Sequence, residues 1–256
     1  MREFDAPMRG KVALVAGGYG GIGAACAKAL AEEGATVVIA GRDAGRAAAA
    51  ALALSDKVDS SSVPFDARDV ASIRAAVSEV ASRHGRIDFL VNCVGTQQIE
   101  PMVDVTEEAF DRVLDVNLKA AMFLGQAVAR VQISARTRGR HVHLLSVRAT
   151  LGMQDRGYAS YCSSKGGLVL LVRQHAVELA GYGINVNGVA PTVVRTRMAS
   201  DWDDPEVHQR LLKRIPLGRI AEVEDVSGPV LFFLGQASAF VTGQILYVDG
   251  GITATQ

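Results

Sequence analysis

The chain has 256 residues, 49% of them hydrophobic, and its 27 Lys+Arg balance its 27 Asp+Glu. That is enough apolar material for a large buried core, and the zero net charge argues against a surface built for polyanions, so no nucleic-acid partner is expected. Three cysteines, Cys26, Cys93 and Cys162, are odd in number and far apart, which excludes a disulfide framework and suits a reducing compartment.

The amino-terminal MREFDAPMRGK mixes both charges and has no apolar centre, so no signal peptide is expected. No run of about 20 apolar residues occurs, so no membrane-spanning helix is expected either. A cytoplasmic protein follows as the default. Short apolar runs then alternate with helical patterns. KVALVA (11–16), TVVIAG (36–41), IDFLVN (87–92), HVHLLS (141–146), INVNGVA (184–190) and QILYVD (244–249) read as strands, with SVPF (62–65) a weaker one. Between them lie AACAKALAEEG and SIRAAVSEVASRHG, amphipathic segments that each stop at a glycine, and the Ala-rich AGRAAAAALAL. Apolar strands alternating with helices predict an α/β fold: one doubly wound domain over 1–256, with about seven parallel strands covered on both faces. The five histidines show no metal-ligand pattern; His141 and His143 alternate on a predicted strand and read as structural, so no metal is expected.

The first strand runs directly into GGYGGIG and a helix. Gly17, Gly21 and Gly23, with Ile22 between the last two, sit at this strand-to-helix turn. Glycines there allow a tight turn and close backbone approach to a pyrophosphate, and the helix N-terminus adds free N–H groups and a positive dipole end. Further on, SYCSSKGG sets Tyr161 four residues before Lys165, on one face of a helix.

The glycine spacing and four later segments resemble the short-chain dehydrogenase/reductase family. NCVG (92–95) stands where the family usually has N-N-A-G, DVNLKA carries Asn117, LLSV carries Ser146, and YCSSK carries Tyr161 and Lys165. NGVAPTVVRT (187–196) and TGQILYVDGG (242–251) continue the match in order over nearly the whole chain. The resemblance implies a Rossmann-type fold and a nicotinamide cofactor. It implies Asn117, Ser146, Tyr161 and Lys165 as the catalytic set, with Asn117 in a water-linked proton relay. It also implies cofactor contacts from Gly17, Gly21, Ile22, Gly23, Asp66, Ala67, Asn92, Gly95, Tyr161, Lys165, Pro191, Val194 and Thr196.

The chemistry is reasonable for these residue types. A tyrosine hydroxyl titrates near 10, and a nearby ammonium is expected to lower that value. Ser146 closes a strand at the carboxyl edge of the sheet, where its hydroxyl can orient a substrate oxygen. The expected reaction is hydride transfer between the cofactor and a carbonyl or secondary alcohol, with Tyr161 as general acid–base. Tyr158, seven residues before Lys165, has a spacing resembling the enoyl reductases of the superfamily, but Tyr161 with Ser146 upstream favours the carbonyl reading. Several positions depart from the family pattern: Ala16 for Thr, Cys93-Val94 for Asn-Ala, Thr192 for Gly, and fifteen residues from Ser146 to Tyr161 where thirteen is usual. A non-catalytic dinucleotide sensor on the same fold is the alternative from another class.

Cofactor choice is usually read at the end of the second strand. Gly41 stands where NAD-dependent members carry Asp, and Arg42 follows with a guanidinium suited to a 2′-phosphate, so NADP is favoured over NAD. Asp43 is expected to cap the next helix. The region 195–220 resembles the family's substrate lid, with Trp202 and Met198 as pocket candidates, and Gln97, Arg148, Gln154 and Arg156 flank the expected substrate site. The carboxy-terminal half resembles gluconate 5-dehydrogenases and other sugar or polyol dehydrogenases, with 3-oxoacyl-[acyl-carrier-protein] reductases the alternative. For that alternative Arg136 and Arg138 are docking candidates, while Tyr182 holds the place of a second docking arginine. The resemblance further implies a homotetramer built through helices around 106–135 and 157–181. On the second of these Leu168, Leu171, Val172 and His175 form a stripe that reads as core.

Overall fold

Why the apolar runs alternate becomes plain in the computed structural model, which describes residues 8–154, 156–196 and 204–255. The runs form seven strands: β1 (Val12–Ala16), β2 (Thr36–Gly41), β3 (Ser60–Pro64), β4 (Phe89–Asn92), β5 (Arg140–Leu144), β6 (Asn185–Pro191) and β7 (Ile245–Val248). All pairings are parallel, in the order β3-β2-β1-β4-β5-β6-β7. Successive side chains point to opposite faces. Ala13 and Val15 of β1 and Val37 and Ile39 of β2 pack on one side, while Val12, Leu14, Ala16, Val38 and Ala40 pack on the other. Both faces therefore need apolar residues, which is why the strands read as continuous runs rather than as alternations.

Helices cover both faces. α1 (Gly21–Glu32) and α8 (Val223–Leu234) pack together on one side, with α2 (Ala44–Leu52) beside them. On the other lie α3 (Val70–His84), α5 (Ala120–Ser134) and α6 (Ala159–Ala180). α4 (Glu107–Leu114) leads into α5 through a π-helical turn, Asp115–Lys119, and α7 (Pro205–Arg214) lies within the predicted lid region. Asp43 caps α2 as expected, accepting from the Arg46 N–H at 3.0 Å. Gly85, with φ 72°, ends α3.

The weak strand expected at 62–65 lies earlier, at Ser60–Pro64, because its register is set by pairing Val37 with Ser60 through Gly41 with Pro64. Proline is tolerated there because β3 is an edge strand. The α6 stripe is core: Leu168 and Val172 are fully buried and His175 nearly so.

His141 and His143 also lie in the core. The ring of His143 stands edge-on to those of His141 and His175, at 6.5 and 6.4 Å between centroids. His141 Nε2 donates to Gln132 Oε1 at 2.9 Å, and the Gln132 amide donates to the Ile87 and Asp88 carbonyls. One nitrogen on each ring has no partner. Burial pushes the His141 pKa down to about 3 and lowers His143 and His175 as well. All three rings are neutral packing elements. Among the described residues no group of three His, Cys, Asp or Glu could hold a metal ion, and no helix is long and apolar enough to cross a membrane.

Candidate active site

The chain builds outward from β1 to β2 and β3, then returns to place β4 on the other side of β1. This reversal leaves a crevice beyond the carboxyl ends of β1 and β4, the position where open α/β sheets bind ligands. A cleft of about 1180 Å³ opens there. Its first wall is the glycine loop. Gly17 has φ 76°, and a side chain at Gly23 would collide with the Gly17 carbonyl. At these glycines the loop brings backbone to the cleft. α1 begins at Gly21 with no side-chain cap, so its first N–H groups are left for a ligand. This cradle fits a dinucleotide pyrophosphate.

Gly41 and Arg42, at the end of β2, line the cleft beside the loop. The Tyr19 ring fills the space a side chain at Gly41 would need. Its hydroxyl accepts from the Asp43 N–H at 3.3 Å, and the Arg46 guanidinium stacks on its face at 4.5 Å. Asp66 lies further along, held by the Arg68 N–H at 2.9 Å and by its guanidinium at 3.3 Å; these contacts lower its pKa.

At the other end, β5 stops at Leu144 and Ser146 follows in a short turn. The Ser146 hydroxyl accepts from the Arg148 N–H at 3.2 Å and faces the cleft with Tyr161, which reaches across from α6, near enough to favour the tyrosinate. One turn on, Lys165 is buried and its Nζ donates to the Leu144 carbonyl at 2.8 Å. Burial pushes the Lys165 pKa down to about 8. It pushes Tyr161 up to about 12, against the lowering effect of the Ser146 hydroxyl. The expectation that Lys165 lowers the tyrosine pKa is therefore corrected for the ligand-free protein. Its ammonium lies 5.7 Å from the Tyr161 ring centroid and hydrogen-bonds a carbonyl, so desolvation dominates.

Most of the expected residues meet in this cleft. Gly17, Gly21, Ile22, Gly23, Arg42, Asp66, Ala67, Gly95, Ser146, Tyr161, Lys165, Pro191, Val194 and Thr196 line it, as do Gln97, Arg148, Gln154 and Arg156. Two expected residues do not. Asn92 is buried behind the β4 loop, accepting from the Val94 N–H at 3.1 Å and meeting His143 at 3.2 Å. Its side-chain oxygen holds the loop and its nitrogen meets a core histidine, so the side chain does not line the cleft. Asn117 is turned inward by the π-helical segment. It accepts from the Thr96 N–H at 2.8 Å and donates to the Thr96 carbonyl and to Ser164 Oγ, each at 2.9 Å. Its side chain thus ties the β4 loop to α6 behind the cleft. Met198 and Trp202 lie outside the described residues.

Sequence reasoning missed Tyr19, Arg46 and the cleft-facing cations of α7. The α7 signal was present as Val207, Arg210, Leu211 and Arg214 at helical spacing. Thr192, noted only as a departure, lines the cleft with a buried hydroxyl that has no partner, a polar group available to a ligand.

A dinucleotide cradle with a tyrosine, a serine and a lysine at its far end belongs to a nicotinamide-dependent oxidoreductase. Known proteins agree. A family model described as Enoyl-(Acyl carrier protein) reductase matches residues 17–253. The chain is 36% identical to a gluconate 5-dehydrogenase of Gluconobacter oxydans, over 97% of this chain and 96% of that one. It is 36% identical to a D-threitol dehydrogenase of Mycolicibacterium smegmatis, over 98% and 96%. The crystal structure of a gluconate 5-dehydrogenase from Burkholderia cenocepacia, in complex with NADP and tartrate, superposes with a TM-score of 0.94 at 34% identity, covering 98% of each chain. The chain belongs to the short-chain dehydrogenase/reductase family, and is an NAD(P)-dependent enzyme acting on CH–OH groups.

Proposed function

We propose that this enzyme interconverts a carbonyl and a secondary alcohol on a sugar, polyol or keto acid, with NADP preferred over NAD. The observation that carries the reading is the convergence of Ser146, Tyr161 and Lys165 at the far end of the dinucleotide crevice. The bound nucleotide supplies or accepts hydride at the substrate carbon. Ser146 orients the substrate oxygen. Tyr161, protonated in the resting site, donates its proton to that oxygen in reduction and recovers it in oxidation. Lys165 is positioned to hold the cofactor ribose and to return charge to the tyrosine. Asn117 keeps the helix carrying both residues in register with the β4 loop. Arg42 and Arg46 read the 2′-phosphate, while Gly41 offers no acid to repel it. The region 195–220 acts as a substrate lid.

An enoyl reductase reading draws on Tyr158, whose ring lies 5.8 Å from that of Tyr161 and which also lines the cleft. The Ser146 partnership favours Tyr161. The test offers ketoses, polyols and aldonic acids with each nicotinamide nucleotide while absorbance is followed. Nucleotide binding without turnover of any of them would support the non-catalytic sensor instead.

A further inference from the structure

Ten cationic side chains line the cleft against one acid, Asp66, which is already paired with Arg68. Arg42, Arg46, Arg68 and Arg112 belong to the elements around β2, β3 and α4, and a dinucleotide carrying three phosphoryl groups answers several of them. A second group has no such explanation. Arg148 follows Ser146 by two residues. Its guanidinium is half-buried and held by loop carbonyls, those of Gly152 at 2.6 Å and Leu151 at 3.5 Å. From the predicted lid, α7 adds Arg210 and Arg214 on the same face as Val207 and Leu211, with Lys213 beside them. A helix with one apolar stripe ordinarily turns its cations to water. Here two arginines share the stripe that looks into the cleft. Among the described residues no carboxylate pairs with Arg148, Arg210, Lys213 or Arg214.

Arg148 is half-buried, and burying a cation without a counter-charge is costly unless something supplies one, while Arg210, Lys213 and Arg214 stand exposed along the cleft. We propose that the substrate carries an anionic group, a carboxylate or a phosphate ester, received by Arg148 from the β5 loop and Arg214 from α7, while its reacting carbon faces Ser146 and Tyr161. A guanidinium pair suits either anion, since each presents parallel N–H donors to two oxygens. Arg214 lies within electrostatic reach of Arg148, which adds to burial in lowering the Arg148 pKa. Bringing the two cations together is unfavourable in the free enzyme and favourable around an anion. The proposal rests on the carbonyl/alcohol reading of the site and narrows its substrate class.

The test compares substrates of one carbon skeleton with NADP: gluconate, glucitol 6-phosphate and neutral glucitol. An anionic member should have a kcat/KM at least tenfold above the neutral one, and the better of the two identifies carboxylate or phosphate. Arg148→Ala and Arg214→Ala should each raise KM for that member about tenfold or more, with a clearly smaller effect on glucitol. Preference for glucitol, or equal losses on all three, would overturn the proposal. If none is turned over, the catalytic reading fails separately, and calorimetry decides this one. Tartrate and inorganic phosphate are titrated into protein saturated with NADP, so that the nucleotide sites are filled. Binding that both variants lose supports the arginine pair. No binding at millimolar concentration, or binding the variants keep, refutes it.

Discussion

The ring of Tyr19, in the glycine loop, stands where the side chain of residue 41 would be, and Gly41 is the residue that leaves it room. Tyr19 is pinned there by the Asp43 N–H and by the stacked Arg46 guanidinium. On the proposed reading, cofactor choice at this corner rests on a group of residues rather than on one. Gly41→Asp, the change expected to favour NAD, would have to displace Tyr19 and should weaken both cofactors. Tyr19→Ala with Gly41→Asp should restore NAD use. Arg42→Ala should weaken NADP by roughly 1.5–3 kcal/mol, about ten- to over a hundredfold, with little effect on NAD. The check is the ratio of kcat/KM for the two nucleotides. An unchanged ratio in Arg42→Ala would reduce that arginine to a solvated charge.

Tyr161→Phe removes the proton donor and leaves the cleft's shape. Turnover should fall by at least about a hundredfold with nucleotide affinity kept. Lys165→Ala should damage both, since the proposed role of its ammonium is to hold the cofactor ribose beside the tyrosine. Affinity retained in Lys165→Ala would show that the ribose is held elsewhere. Tyr158→Phe should be mild by comparison, and a loss equal to that of Tyr161→Phe would revive the enoyl reading.

Neutral histidines in the core predict acid lability. In the fold the His141 pKa is lowered to about 3, whereas an unfolded chain binds that proton near 6.5. Between those values the unfolded state holds more protons. The stability contributed by the neutral ring is complete above about pH 6.5 and is lost as pH falls toward 3. His141→Gln, which keeps an amide donor for Gln132 and cannot titrate, should show a shallower fall of Tm from pH 6.5 to 4.5. Parallel curves for the two proteins would assign the acid loss to carboxylates.

The helix α6 turns Leu168 and Val172 inward and leaves Leu170 and Val177 64% and 75% exposed. Their spacing puts both on one outward face, and Phe110 of α4 is exposed as well. This is the surface through which the family resemblance implies a homotetramer. Light scattering at micromolar concentration should give four times the chain mass, and Leu170→Glu with Val177→Glu should give smaller species without loss of fold. A monomeric wild type would count against the assembly.

The sheet was legible because its buried strands leave apolar runs, while the polar edge strand β3 was the weakest signal and its bounds were set by pairing at Ser60–Pro64. Most of the cleft was legible because strand ends in a parallel sheet share one edge. What could not be read was direction and desolvation. Asn92 and Asn117 have the right identity and spacing, yet neither lines the cleft, because their amides bond the β4 loop, α6 and a core histidine, and spacing alone does not say what an amide will bond. The Tyr161 pKa depends on burial and on what occupies Lys165, neither of which is a property of two residues four apart. Tyr19 was hidden because it lies inside a motif valued for its glycines.

Because the chain reverses at β4, the cofactor-reading loops follow β1, β2 and β3, while Ser146, Arg148, Tyr161 and α7 come from β5 onward. On the proposed assignments, the residues that choose the nucleotide and those that receive the substrate's anion share no side chain. Changes at well-separated sites without common partners combine nearly additively, within about 0.5 kcal/mol. An exchange at Tyr19, Gly41 and Arg42 can therefore be combined with one at Arg148 and Arg214, and the free-energy effects should sum. Coenzyme and substrate would then be separately tunable in one small protein, with β1 and β4 as the seam between them.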